Sequence, residues 1–205
     1  MYYCKECKNG ITPEEYEYST NKYNMPLCRV HQRDNPQESH IPPKRKSRYK
    51  EGMIKGRIAE ALIEELFLSL RYNVFRYGME NTVPGIRKLL RGVKSEVAND
   101  LRRMPDFVIQ HPKRKDDVFF IEVKFRKKER FDKNDKSIKD YPYENAFFII
   151  VSKRHIKCLS YKELDDGEQI TPTSHNYLYN RKEFELDKEV IKDFCGFATK
   201  FFSEV

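Results

Sequence analysis

The sequence predicts an α/β (α+β) fold: one central sheet flanked by helices, with a small module of its own at the N-terminus. Three observations carry this. Short apolar runs bounded by turn residues read as strands, and segments with apolar residues every three or four positions bracket them. The first 32 residues hold two Cys/His pairs and little aliphatic content.

Residues 1–32 contain Cys4-x2-Cys7 and Cys28-x2-His31. A two-residue gap lets one tight turn present both ligands of a pair, and four soft or borderline donors suit tetrahedral zinc. So short a segment cannot bury enough apolar surface to fold unaided, so a bound metal would supply its stability. The set is closed by protein ligands, which makes it structural. Residues 33–50 carry three prolines and no apolar period and read as a basic linker. Residues 51–205 form the main domain.

Within that domain the spacing predicts a helix over Met53–Leu70, with strands at about 73–77, 104–110, 117–125, 146–151 and 155–161. Asp187 reads as the N-cap of a final helix whose apolar face is Val190, Ile191, Phe194, Phe197, Ala198, Phe201 and Phe202. The run Val118–Phe125 is the most informative. Strand side chains alternate, so Glu122 and Lys124 share one face while Phe119, Ile121, Val123 and Phe125 share the other. An acid and a base in so apolar a strand are costly to bury unless paired or metal-bound. The preceding helix repeats the pattern: along Met53, Gly56, Glu60, Ile63, Phe67 and Leu70, Glu60 is the single charge.

The N-terminal segment, with its Pro26-Leu27-Cys28-Arg29-Val30-His31-Gln32 end, resembles zinc-ribbon and treble-clef fingers, His31 replacing their last cysteine. The spacing Pro105-Asp106-x15-Glu122-Val123-Lys124 resembles the PD-(D/E)xK nuclease superfamily. The resemblance covers about residues 51–160 and implies a restriction-endonuclease-like core, a central mixed sheet flanked by helices, and a Mg²⁺- or Mn²⁺-dependent endonuclease acting on DNA. It implies Asp106 and Glu122 as cation ligands, Glu60 as the further acid from the preceding helix, and the Val123 carbonyl as another ligand. Lys124 would orient or deprotonate the attacking water, or stabilise developing charge. The other reading is a non-catalytic nucleic-acid-binding or scaffolding protein that keeps a nuclease-like fold.

Charge supports a polyanionic partner. The formal net charge is +8, yet residues 41–159 hold 29 Lys/Arg against 16 Asp/Glu, a net +13 around the acidic motif. Three basic stretches are candidate DNA contacts: Lys44, Arg45, Lys46 and Arg48; Arg87, Lys88 and Arg91 through Arg102 and Arg103; and Arg126, Lys127 and Lys128. Phosphate contacts of this kind give affinity with little sequence information. No segment reads as a membrane span or signal peptide. Five cysteines without such a signal point to a reducing, cytoplasmic setting, nuclear in a eukaryote. No Gly-rich phosphate loop is present, so nucleotide hydrolysis is not expected. Cys158 and Cys195 read as buried, unreactive thiols. Cutting both strands of a duplex commonly takes two active sites, so a homodimer is an expectation.

Overall fold

A computed structural model describes residues 2–34, 43–78, 90, 92–139 and 141–203, with backbone alone for 43–48. The chain divides into two compact units, Met1–Gly52 and Met53–Val205.

In the first unit β1 (Tyr2–Tyr3) pairs antiparallel with β2 (Gly10–Ile11), and α1 (Pro13–Tyr23) and α2 (Arg29–Asp34) follow. The start of α1 is written into the chain. Thr12 accepts from the Glu15 N–H and Glu15 reaches back to the Thr12 N–H, with Pro13 at the first helical position. Asn24 ends the helix in the left-handed conformation. Among the described residues Cys4, Ile11, Tyr23 and Leu27 form the buried core, with Cys7, Tyr16, Met25 and Cys28 packed against it, too small to hold a fold without help.

Helix α3 spans Pro43–Ser69 and so begins ten residues before Met53. Residues 43–50, read as linker, are helical. Pro43 is tolerated in a first turn, and the Lys/Arg-rich stretch behind it consists mostly of good helix formers. Residues 35–42 lie outside the described residues.

The second unit is built on a five-stranded sheet of order β3-β4-β5-β6-β7, from β3 (Asn73–Arg76), β4 (Phe107–Gln110), β5 (Val118–Phe125), β6 (Ala146–Val151) and β7 (Ile156–Ser160). Neighbours run antiparallel except β5 and β6, so the sheet is mixed. Every residue of β6 is buried, because both its faces are covered. On one face Phe147, Ile149 and Val151 pack with Ile121 and Val123 of β5 and Ala59, Leu62, Ile63, Leu66 and Phe67 of α3. On the other, Ala146, Phe148 and Ile150 pack with Phe131, Ile138 and Tyr141 of the β5–β6 crossover and Leu164 of a short helix, α5 (Tyr161–Asp165). Helix α4 (Glu96–Arg102) starts at a Ser95 cap and precedes β4.

The last helix, α6 (Lys188–Ser203), is capped by Asp187, which accepts from the Glu189 N–H at 2.8 Å. Ile191, Ala198 and Phe202 are buried as expected. Phe197 and Phe201 are not: they are 47% and 49% exposed. The apolar stripe is wider than the strip of helix that reaches the sheet.

Candidate metal and catalytic centres

The two predicted centres are built in opposite ways, one from soft donors on turns and the other from oxygens on a strand pair.

In the first unit, Cys4 and Cys7 sit on the turn after β1. Cys4 N–H bonds Asn9 O at 2.8 Å, Lys8 N–H returns to Cys4 O at 3.0 Å, and Lys8 takes a left-handed φ of 60° to close the turn. Cys28 and His31 flank the first turn of α2, which Gln32 locks by donating to Leu27 O at 2.8 Å. All four ligand atoms lie within 4.8 Å of one another. Cys7 Sγ and Cys28 Sγ are 3.8 Å apart, and His31 Nδ1 is 3.2 Å from Cys28 Sγ and 3.7 Å from Cys4 Sγ. A tetrahedron with Zn–S bonds of about 2.3 Å has S–S edges of about 3.8 Å, so the donors fit zinc in both chemistry and spacing. Burial raises the Cys4 thiol, but the N–H groups of Cys7, Cys28 and Glu6 outweigh it and hold it at about 6. Backbone donors thus already favour the thiolate.

In the second unit, α3, β3, α4, β4 and β5 enclose a cleft of about 590 Å³ that contains Glu60, Asp106, Glu122 and Lys124. Its construction follows from register. Phe107 lies opposite Ile121, so one step earlier Asp106 comes level with Glu122, where the β4–β5 ladder ends. There the Asp106 carboxylate accepts from the Val123 N–H at 2.7 Å, taking the place of a ladder acceptor. Asp106 O in turn accepts from Tyr77 N–H at 2.9 Å, joining β3 to the same corner. Glu122 and Lys124 project to one face and are ion-paired through Glu122 Oε1. Glu122 is only 8% exposed, and its Oε2 is buried with no hydrogen-bond partner. Glu60 enters from α3: Ile63 and Phe67 stay in the core, while Met53, Gly56, Arg57 and Glu60 line the cleft.

The charges press on one another. Burial, offset by Lys124 and reinforced by Asp106 and Glu60, pushes Glu122 up to about 7. Burial likewise holds Asp106 above the usual carboxylate range against the pull of Lys124, and raises Glu60, with Asp106 adding to the effect. Lys124 is held above its ordinary value: burial opposes this, but Glu122 and Asp106 prevail. Among the described residues the Cys/His set alone brings three or more candidate ligand atoms within 4.8 Å. The cleft carboxylates share a cavity without closing that far, as repelling anions should. A buried carboxylate oxygen with nothing to bond is nevertheless the vacancy in hydrogen bonding that a cation satisfies, and three carboxylates are the hard oxygen donors Mg²⁺ or Mn²⁺ takes. The residues therefore fit such an ion.

The expected DNA contacts separate into groups. Arg102 lines the cleft, but its guanidinium also holds the preceding loop through Leu90 O and Val93 O. Arg103 is half-buried beside it. Arg126 is engaged by Asp135 at 2.7 Å and lies over the Phe131 ring, so it braces the crossover. Lys127 and Lys128 are exposed. Arg87, Lys88 and Arg91 lie outside the described residues, as do the side chains of Lys44, Arg45, Lys46 and Arg48. Sequence reasoning missed Arg57 and Arg76, which also line the cleft. Arg57 was legible, since it sits three residues before Glu60 on the same helix; Arg76 needed the sheet register. Cys158 is fully buried and pushed by burial to about 12, which makes it a poor nucleophile. No described helix is long and apolar enough to cross a membrane.

Comparison with protein-family models, with curated proteins and with solved structures returns no match.

Proposed function

We propose that the chain is a Mg²⁺- or Mn²⁺-dependent endonuclease with a restriction-endonuclease-like core, hydrolysing DNA phosphodiester bonds in the 590 Å³ cleft. The observation that carries this reading is the buried, unpartnered Glu122 oxygen, set in a cavity with Asp106, Glu60 and Lys124. Such a set is expensive to maintain in an apolar strand unless a cation and an anionic substrate complete it.

Asp106 and Glu122 hold the cation, Glu60 completes the site from α3, and the Val123 carbonyl is a further candidate oxygen. The bound ion would lower the pKa of a water and offset charge on the phosphate. Asp106, fixed by the Val123 N–H, sets one ligand rigidly to the sheet. Lys124 donates one N–H to Glu122 and has others to give to the attacking water or to a phosphate oxygen. Arg57, Arg76 and Arg102 line the cleft and supply positive charge for the flanking phosphates, Arg76 while paired with Glu64. In the first unit, zinc on Cys4, Cys7, Cys28 and His31 serves structure.

Cleavage of plasmid and branched DNA in Mg²⁺ tests this, with wild type beside Glu122→Ala and Lys124→Ala. Both variants should lose ~100-fold or more of the rate, with Lys124→Ala keeping its cation. Unchanged cleavage in both would sink the assignment. Wild-type protein that binds DNA but neither binds Mn²⁺ nor cuts would favour the non-catalytic alternative.

A further inference from the structure

Among the described residues three buried side-chain polar atoms find no hydrogen-bond partner: Thr20 Oγ1, Glu122 Oε2 and the Tyr141 hydroxyl. Two of these three belong to one place. The parallel pairing of β5 and β6 requires a crossover between them, and this one passes over the sheet face to which Glu122 projects. It carries Tyr141 there. The residue is 5% exposed and packed by Phe148, Tyr143 and Tyr161, with ring centroids 5.1, 5.8 and 6.2 Å away. Its N–H donates to Ile138 O at 2.9 Å, and the same stretch is braced by Arg126 on Asp135. A ring so enclosed cannot swing its hydroxyl to solvent, and a ring flip leaves the oxygen where it is. Phe148, on which the ring packs, lies directly opposite Glu122 in the β5–β6 register, so Tyr141 neighbours that carboxylate. Burial first, and then Glu122 and Asp106, hold its pKa above the ordinary tyrosine value, in keeping with that position.

Tyr141 and Glu122 interact without either Glu122 Oε2 or the hydroxyl reaching hydrogen-bond geometry, and a buried donor and acceptor left so are costly separately and explicable together. Each is satisfied when a cation draws the Glu122 carboxylate into a defined orientation. We propose that Tyr141 is a positioning residue of the cleft's cation site, its hydroxyl donating to the Glu122 carboxylate of the cation-loaded protein and so aiming that ligand. The inference rests on the cation-dependent reading of the cleft. It assigns a residue from outside the Asp106/Glu122/Lys124 spacing and gives the crossover a role besides covering the sheet. Outer-shell partners of metal ligands typically govern affinity by 10–100-fold.

The test is Mn²⁺ titration by calorimetry of zinc-loaded wild type, Tyr141→Phe and Glu122→Ala, with the thermal midpoint of each measured before Mn²⁺ is added. Tyr141→Phe should bind Mn²⁺ about tenfold or more weakly. Its Mn²⁺-free midpoint should be unchanged or higher, because the hydroxyl removed had no partner. Wild-type affinity in Tyr141→Phe overturns the proposal. So does a lowered midpoint, which would mean the hydroxyl supports the fold itself. Wild type and Glu122→Ala behaving alike, with no Mn²⁺ bound by either, would instead remove the cation reading of the cleft, and the Tyr141 assignment with it.

Discussion

Buried carboxylates serve two opposite ends in the second unit, and their partners decide which. Glu129 is bonded by Ser152 at 2.8 Å and His155 at 3.0 Å, with the fully buried Lys157 ammonium 3.4 Å away. Asp135 takes Arg126 and Ser137, and Glu163 takes Arg181 and the Ser160 N–H. Burial alone would raise all three, but these donors outweigh it and hold each below its ordinary range. Their contribution to stability is therefore complete above about pH 4.5 and is lost as the pH falls through the depressed values. Glu60, Asp106 and Glu122 are raised, so their share is complete below the unfolded value and is lost as the pH rises, to about 7 for Glu122. Urea unfolding of protein free of added divalent cation should accordingly show greatest stability near about pH 5. Stability should decline towards pH 8, and Mg²⁺ should restore it there. A profile that rises steadily to pH 8 would contradict the assignment of strain to the cleft.

At the scale of elements, what could be read from the chain was whatever local pattern determines. β5 and β6 were legible because alternation and an unbroken apolar run need no knowledge of neighbours, and Asp187 was legible as a cap. The segments missed have equally local signals: Thr12-x-x-Glu15 and Ser160-x-x-Glu163 are both capping boxes, and both open helices. The early start of α3 was hidden by treating Pro43 as a breaker when in a first turn it costs little. The candidate site divides in the same way. Glu122 and Lys124 share a face by strand period, and Glu60 stands out by helical period. That Asp106 comes level with Glu122 and bonds the Val123 N–H depends on the β4–β5 register. Arg76 and Tyr141 depend on β3 pairing and on where the crossover runs. Neither is encoded within its own ten residues, so neither could be read there.

At the scale of the molecule, the two units hold together by different means. The described core clusters of the second unit are built from its own sheet and helices. Among its described residues the first unit buries a core of four, one of them a proposed ligand. Removing zinc should therefore unfold residues 2–34, with loss of α1 and α2 helicity, and leave the cooperative unfolding of the second unit in place. Amide hydrogen exchange before and after a strong chelator reads both. Continued protection of α1 in zinc-free protein would show that metal is not what folds it.

The central claim is that Asp106, Glu122 and Glu60 hold a divalent cation beside Lys124. Anomalous diffraction from crystals soaked in Mn²⁺ tests it most directly. A Mn²⁺ peak is expected in the cleft within about 2.3 Å of oxygens of Asp106 and Glu122, separate from the metal on Cys4, Cys7, Cys28 and His31. A well-ordered cleft with no such peak, or Lys124 still closing the Glu122 carboxylate while Mn²⁺ binds elsewhere, would contradict it.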